Sequence, residues 1–453
     1  MRRVVKVSRI RIIITIIVVV LTTLLTGCTG KEPNEIAYVV ALGIDSTDDD
    51  NYKITIQYAN TTQISGGASE SGGKAGSEIV DNVTIEAPNI YAGVGLANNI
   101  VSKSFSMSHA KLIVFSKEMA EKGVKDMIET LVRSEEIRPD VFIAVANTTA
   151  NDYLTSVNPE MEVNPAQYYQ LIYQKNQLVG IPDGQLREFF TGLYTDNYDS
   201  ILPVAGVIEG SGGNSQNDDK GQSKDSQNEG SEGSSESFDS FESKSSNENE
   251  KEKDAEKNTS KYEYDIKNYI GGETAIEKKN KAEAIGAAVF EKDKMVGELG
   301  EVETEICKIL KGDYTYSYLT YYNNDTPDIP ITVKTTQQKK PKYKIDTDKK
   351  TVDIELYIES DLYSLPADYN VENKIEDFER DVANYTSSAC TEFINNFTKK
   401  YNSDILKLNE KVKYKFLTNN QYNWFKKNVG WSEYKFSVCT NFKVRRTGLI
   451  VRE

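Results

Sequence analysis

From Ser211 to Ser260 only Phe238, Phe241 and Ala255 are apolar, set among 13 acidic residues and six lysines. Ordering a backbone costs about 1–2 kcal/mol per residue, and this stretch has almost no apolar surface whose burial could offset that. It is expected to be a disordered insert over residues 208–262. Any fold for this chain must therefore be assembled from two separated lengths.

The chain opens MRRVVKVSRIRIIITIIVVVLTTLLTGC. Arg2, Arg3, Lys6, Arg9 and Arg11 precede an apolar run from Ile12 to Leu25. As a helix of about fourteen residues it would reach roughly 21 Å, short of a ~30 Å bilayer core. A basic start, a short apolar run and small residues at its end describe an export signal. Leu25-Thr26-Gly27-Cys28 resembles a bacterial lipobox, which implies removal of residues 1–27 and diacylation of Cys28. Two acyl chains give stable anchoring where one gives only reversible binding. The expectation is a protein anchored to the outer face of a membrane without spanning it, with residues 28–35 as the tether.

Of the 54 basic residues, five precede Cys28, as do none of the 69 acidic ones; 49 against 69 leaves about −20 after it. So acidic a chain is a poor binder of nucleic acid or of anionic lipid headgroups. Beyond Cys28 lie Cys307, Cys390 and Cys439, an odd number, widely spaced and without a CxxC pair. They are read as buried free thiols rather than a disulfide framework.

The two foldable lengths show clear periodicities. IAYVVALGID, from Ile36, is continuously apolar, as a central strand would be. In YKITIQYAN (52–60), Tyr52, Ile54, Ile56 and Tyr58 alternate with Lys53, Thr55 and Gln57, the period of a half-buried strand. DSTDDDN (45–51) between them lacks the glycine and late glutamate of a calcium loop and reads as a hairpin turn. SGGASESGGKAGSE (65–78) reads as a flexible loop.

Strands are expected at IVDNVTIEA, KLIVFS and VFIAVAN. Helices are expected over Pro88–Lys103, over KEMAEKGVKDMIETLVRS (117–134) behind a Ser116 cap, and over Gln167–Gln177. Beyond the insert, AIGAAVFEKDKMVGEL predicts two strands around a charged turn, then a helix through Cys307 and Leu310. More strands follow through Glu359. From Val371 to Lys400, Val371, Ile375, Phe378, Val382, Tyr385, Ala389, Phe393 and Phe397 mark a buried helical stripe. In the tail, Tyr434, Phe436, Val438, Phe442 and Val444 share one strand face, and Cys439 lies on the other. Strands interleaved with helices predict an α+β protein of mixed or mostly antiparallel sheets with packed helices.

Catalytic motifs are missing from the inventory. The chain has one histidine, His109, so a two-histidine zinc helix cannot form. It has no GxSxG elbow and no phosphate-binding loop. His109 and Lys111 read as polar positions at a strand start, and Trp424 and Trp431 as packing residues rather than a ligand clamp. No residue is nominated as catalytic, cofactor-binding or metal-ligating.

Several stretches together resemble the Ger(x)C lipoproteins, the C subunits of nutrient germinant receptors of spore-forming bacteria. The lipobox leads almost directly into PNEIAYVVALGID, ending in Gly43-Ile44-Asp45. SHAKLIVFSKEMAEKGVKDMIETLVRSEEIRPDVFIAVA and IGAAVFEKDKMVGEL match family segments, as does the close KKYNSDILKLN, WFKKNVGW and FKVRRTGLI. There are departures. The insert is long, Thr29-Gly30 stands where Trp-Asp is frequent, and Leu406–Asn409 has no glycine where one is usual after Asp404.

The resemblance implies three domains, each a sheet with packed helices: 36–150, 151–324 containing the insert, and 325–453. It further implies a non-enzymatic subunit without cofactors. Its partners would be a receptor A subunit and a membrane-spanning B subunit at the spore inner membrane. Direct germinant binding by this subunit is not expected. A solute-binding lipoprotein of an uptake system is the alternative.

Overall fold

The computed structural model describes residues 13–17, 35–49, 51–59, 80–158, 162, 164–174, 180–195, 197–208, 268–274, 280–322, 330–364, 374–401 and 403–447. The expected loop at 65–78 and residues 209–262 of the expected insert lie outside them. Ile208, expected to open the insert, belongs to the fold: it is buried, and its N–H donates to the Lys281 carbonyl at 2.8 Å.

The first sheet begins with β1 (Ile36–Ser46), β2 (Tyr52–Ala59), β3 (Val80–Ala87), β4 (Ser104–Ser106), β5 (Leu112–Ser116) and β6 (Phe142–Ala146). It continues with β7 (Ile201–Val207), β8 (Ala282–Glu291) and β9 (Lys294–Leu299). The order is β3-β2-β1-β5-β6-β7-β8-β9, with β4 beside the start of β1. Strands β1, β5, β6 and β7 run parallel, and the flanking pairs are antiparallel. Strands from both sides of residue 150 are thus hydrogen-bonded into one sheet.

Helices cover both faces of this sheet. On one lie α1 (Ile90–Ala97), α2 (Lys117–Lys122), α3 (Lys125–Val132) and, later in the chain, Leu186–Thr195. On the other lie α4 (Ala150–Ser156) and α5 (Pro165–Gln174); Leu186–Thr195 is α6. This double cover explains why β2 departs from simple alternation. Thr55 and Gln57 are as buried as Ile54 and Ile56. Gln57 is satisfied there, donating to the Leu154 carbonyl at 2.8 Å and accepting from the Tyr169 hydroxyl.

Gly43, Ile44 and Asp45 lie within β1, paired with Thr55, Ile54 and Lys53 of β2, and the glycine and the aspartate each have a physical reason there. A Cβ on Gly43 would sit 3.0 Å from Leu154 and 3.2 Å from Ala150, so glycine lets α4 approach β1 closely. Asp45, 5 % exposed, accepts from the Ala150 N–H at 2.6 Å and the Asn151 N–H at 3.2 Å. A carboxylate there satisfies otherwise orphaned donors at the helix start. Ser116 caps α2 as expected, accepting from the Met119 N–H at 3.3 Å. The expected single helix breaks at Gly123, whose φ of 126° suits glycine, and resumes as α3. The helix expected over Pro88–Lys103 is shorter, capped by Asn89 and ended at Ala97.

After α7 (Glu301–Lys311) comes a second sheet of β10 (Tyr316–Tyr322), β11 (Pro330–Thr336), β12 (Lys342–Asp346), β13 (Thr351–Ser364) and β14 (Lys435–Arg446). Its order is β10-β11-β13-β12, and β14 pairs parallel with β13. The long helix α8 (Ile375–Lys400) packs on it through Phe378, Val382, Tyr385, Phe393 and Phe397. Cys390 rather than Ala389 is the fully buried member of that turn. Two short helices follow, α9 (Leu408–Val412) and α10 (Asn419–Asn428). Tail strand β14 alternates as read, with Cys439 exposed, which corrects the reading of three buried thiols; Cys307 and Cys390 are buried. Ile201, Ala287, Val289 and Leu299 of the first sheet share one apolar cluster with the second.

A Cβ on Gly206 in β7 would overlap the backbone of Gly271 and Gly272, which no rotamer change relieves. Gly206→Ala is expected to destabilise the fold by about 2–3 kcal/mol, read from urea unfolding midpoints at unchanged slope.

Candidate functional site

The polar seam between the two sheets is built around two aspartates 205 residues apart in sequence. The Asp404 N–H donates to Asp199 Oδ2 at 2.8 Å, and the Asp199 N–H returns a bond to the Asp404 carbonyl at 3.2 Å. Asp199 Oδ1 also accepts from the Lys292 N–H at 3.0 Å, holding the β8–β9 turn. The Asp404 carboxylate accepts from the Leu408 and Asn409 N–H groups, each at 2.8 Å, and so caps α9. The Ser403 hydroxyl donates to the Phe290 carbonyl at 3.1 Å.

Lys407 completes this turn with φ 56°, the left-handed region that glycine adopts without strain. This is where the sequence lacked the usual glycine. The lysine has compensating contacts: its Nζ lies 3.2 Å from Glu188 Oε2 and 4.1 Å from the centre of the Tyr198 ring. From α10, the Tyr422 hydroxyl and Lys426 Nζ both donate to Asn197 Oδ1 at 3.1 Å.

Beside the seam lies a cleft of about 370 Å³. Lys308, Lys311 and Lys407 line it together with Asp183, Glu188 and Asp313. Lys308 is buried on α7, and its Nζ donates to the Ile181 carbonyl at 3.0 Å. Burial pushes its pKa down to about 8, against the opposing pull of Asp313 and Asp183. Burial also raises the Asp183 carboxyl. It would raise Glu188 too, but Lys407 outweighs it and holds Glu188 below the usual carboxylate range. The lysines thus sit among acids that balance them. The arrangement fixes two sheets against each other and pairs its charges. Among the described residues, no group of three or more His, Cys, Asp or Glu side chains is placed to hold a metal ion.

The residues singled out in the sequence lie elsewhere. Cys28 is outside the described residues. His109 is exposed; its Nδ1 is 3.0 Å from the Ser108 hydroxyl, and its ring meets Tyr38 edge-on at 4.8 Å. Lys111 serves the sheet through its backbone, to Val40 and Phe142. Trp431 is buried against Phe425 and Tyr434, whereas Trp424 is 70 % exposed, so the two tryptophans form no clamp. Burial pushes the Cys307 thiol up to about 11 and Cys390 up to about 12, keeping both protonated at neutral pH. Sequence reading missed Asp199 and Asp404, and the absent glycine after Asp404 was the one available signal.

Asp404 carries a pH signature. Burial raises its carboxyl to about 7, further supported by Asp199, although the Asn409 and Leu408 N–H groups pull the other way. In the unfolded chain an aspartate titrates near ~3.9. Between about pH 4 and 7 the folded state therefore holds a proton that the unfolded state has lost, so this group's contribution falls as pH rises. The limiting slope is about 1.4 kcal/mol per pH unit. Asp404→Asn, which cannot titrate, is expected to flatten the stability profile across that window relative to the parent, measured by urea unfolding at each pH.

Residues 30–207 match the family model "Spore germination protein N-terminal domain", and residues 285–448 match "Spore germination B3/ GerAC like, C-terminal". The chain is 26 % identical over 174 residues to spore germination protein KC of Bacillus subtilis (strain 168), covering 35 % of this chain and 42 % of that one. It is 29 % identical over 145 residues to the putative spore germination protein YfkR of the same organism, covering 32 % and 37 %. The matched stretch thus spans about two fifths of the length of these relatives. A solved structure, "Crystal Structure of the GerBC protein", aligns with a TM-score of 0.48 at 15 % identity, covering 89 % of this chain and 96 % of that one. With both family models matched in order, one on either side of the residues between 207 and 285, the chain belongs to the Ger(x)C family of spore germination proteins.

Proposed function

We propose that this chain is the lipid-anchored, non-enzymatic C subunit of a nutrient germinant receptor. In this reading Cys28 carries a diacylglyceryl group on the outer face of the spore inner membrane. The partners are an A subunit and a membrane-spanning B subunit. The observation that carries the proposal is the pairing of a lipobox at Leu25–Cys28 with a family match that starts at residue 30. In this reading attachment falls to the lipid on Cys28; among the described residues no helix is long and apolar enough to cross a membrane. Confinement to a surface raises the effective concentration of the chain beside integral partners.

The alternative, a solute-binding lipoprotein, draws on the mixed-charge cleft at Lys308 and Glu188. Against it, Glu188 pairs with Lys407, and Lys311 lies 3.9 Å from Asp313. Thermal shift with candidate nutrients separates the two, since a strong ligand-induced rise in the isolated chain favours solute binding.

Co-purification from detergent-solubilised spore membranes is expected to recover a polytopic partner, and recovery of the chain alone would count against the receptor reading. Cys28→Ser is expected to release the protein or leave an unprocessed precursor. Full processing with unchanged mass and membrane retention would refute the anchor.

A further inference from the structure

Helix α1 is apolar on both sides. Ile90, Gly93, Val94 and Ala97 face the core, yet Leu96 is 49 % exposed and Ile100, just past the helix, 70 %. A Cβ on Gly95, next to Leu96 in the chain, would meet nothing. A helix that is hydrophobic all round is normally covered all round, and an exposed apolar group of this kind marks an interaction site.

The topology places this spot. Strand β3 ends at Ala87, level with Tyr52, which pairs with Ser46 at the far end of β1. Helix α1 then runs back along the sheet. The Phe105 N–H donates to Asn98 Oδ1 at 2.8 Å, tying the end of the helix to β4. Strand β4 pairs with the first residues of β1, Ser104 beside Ile36. Leu96 and Ile100 therefore project beside the point where the chain enters the fold. Cys28 is separated from that point by a tether that reaches roughly 25 Å at ~3.3–3.6 Å per residue.

The geometry points to the outer surface at Leu96 and Ile100 as a lipid-contacting spur that dips into the bilayer interface beside the anchor. The inference rests on the lipid-anchor reading. What selects a lipid surface as the occupant is the short length of chain between Cys28 and Ile36 and where that chain ends. Apolar side chains at the end of a helix, flanked by Asn98, Asn99 and Ser102, suit the boundary between headgroups and acyl chains. With the acyl anchor, such a spur would fix the tilt of the first sheet on the membrane.

The test uses the full chain from its native host, carrying Ile100→Trp, on vesicles of phosphatidylcholine with dibrominated acyl chains. The parent supplies the background of Trp424 and Trp431. Leu96→Trp is run beside it in case I100W fails to fold. Mass spectrometry of the mature amino terminus is read in parallel. A blue shift and loss of the added fluorescence support the spur. If the terminus is acylated and the added fluorescence is unquenched, the spur is overturned and the anchor stands. If it is unacylated and unquenched, both fall. If it is unacylated yet quenched, the spur stands and the anchor reading falls. An unquenched signal that shifts blue with protein concentration assigns the face to a second copy and overturns the spur.

Discussion

Strand β1 has no free face, and much of the fold follows from that. Its residues from Val39 to Ile44 lie beneath helices on both sides, with β2 and β5 on its two edges. A one-residue slip would carry Asp45 away from the start of α4 and put a larger side chain where Gly43 admits Leu154. Register, helix docking and the chain's entry point are thus specified together. The Gly43-Ile44-Asp45 stretch of β1 is therefore a packing device.

The second sheet hangs from the first by a different logic. Apolar contact through Ile201, Ala287, Val289 and Leu299 supplies adhesion, which is non-directional. Orientation comes from the polar seam, where Asp199 and Asp404 exchange backbone and side-chain hydrogen bonds. Lys407 accepts an unfavourable backbone conformation there and gains Glu188 and Tyr198.

Local periodicity made most elements legible. The β14 alternation, the Ser116 cap and the α8 stripe all follow from residue spacing. What escaped was long-range. Nothing near Gln57 signals that Tyr169 and Leu154 will cover it, so its strand reads as half exposed. Asp199 and Asp404 meet only after the whole intervening chain has folded. The exposure of Cys439 was implicit in its position opposite Phe436 and Val438, and the general expectation of buried thiols hid it. Cys28, on which the anchoring proposal turns, is read from a short motif alone.

The pairing of β13 with β14 has a kinetic consequence. These strands run parallel through eleven residue pairs, from Thr351 with Lys435 to Asp361 with Arg446, and the whole of α8 lies between them in sequence. Loop-closure entropy must be met before such distant contacts can form, which makes parallel pairing slow. Until residues 435–446 arrive, one side of β13 presents unpaired backbone and the α8 stripe lacks its cover. An open sheet edge of this kind is what makes partly folded chains prone to aggregate, so completion of β14 also closes off that hazard.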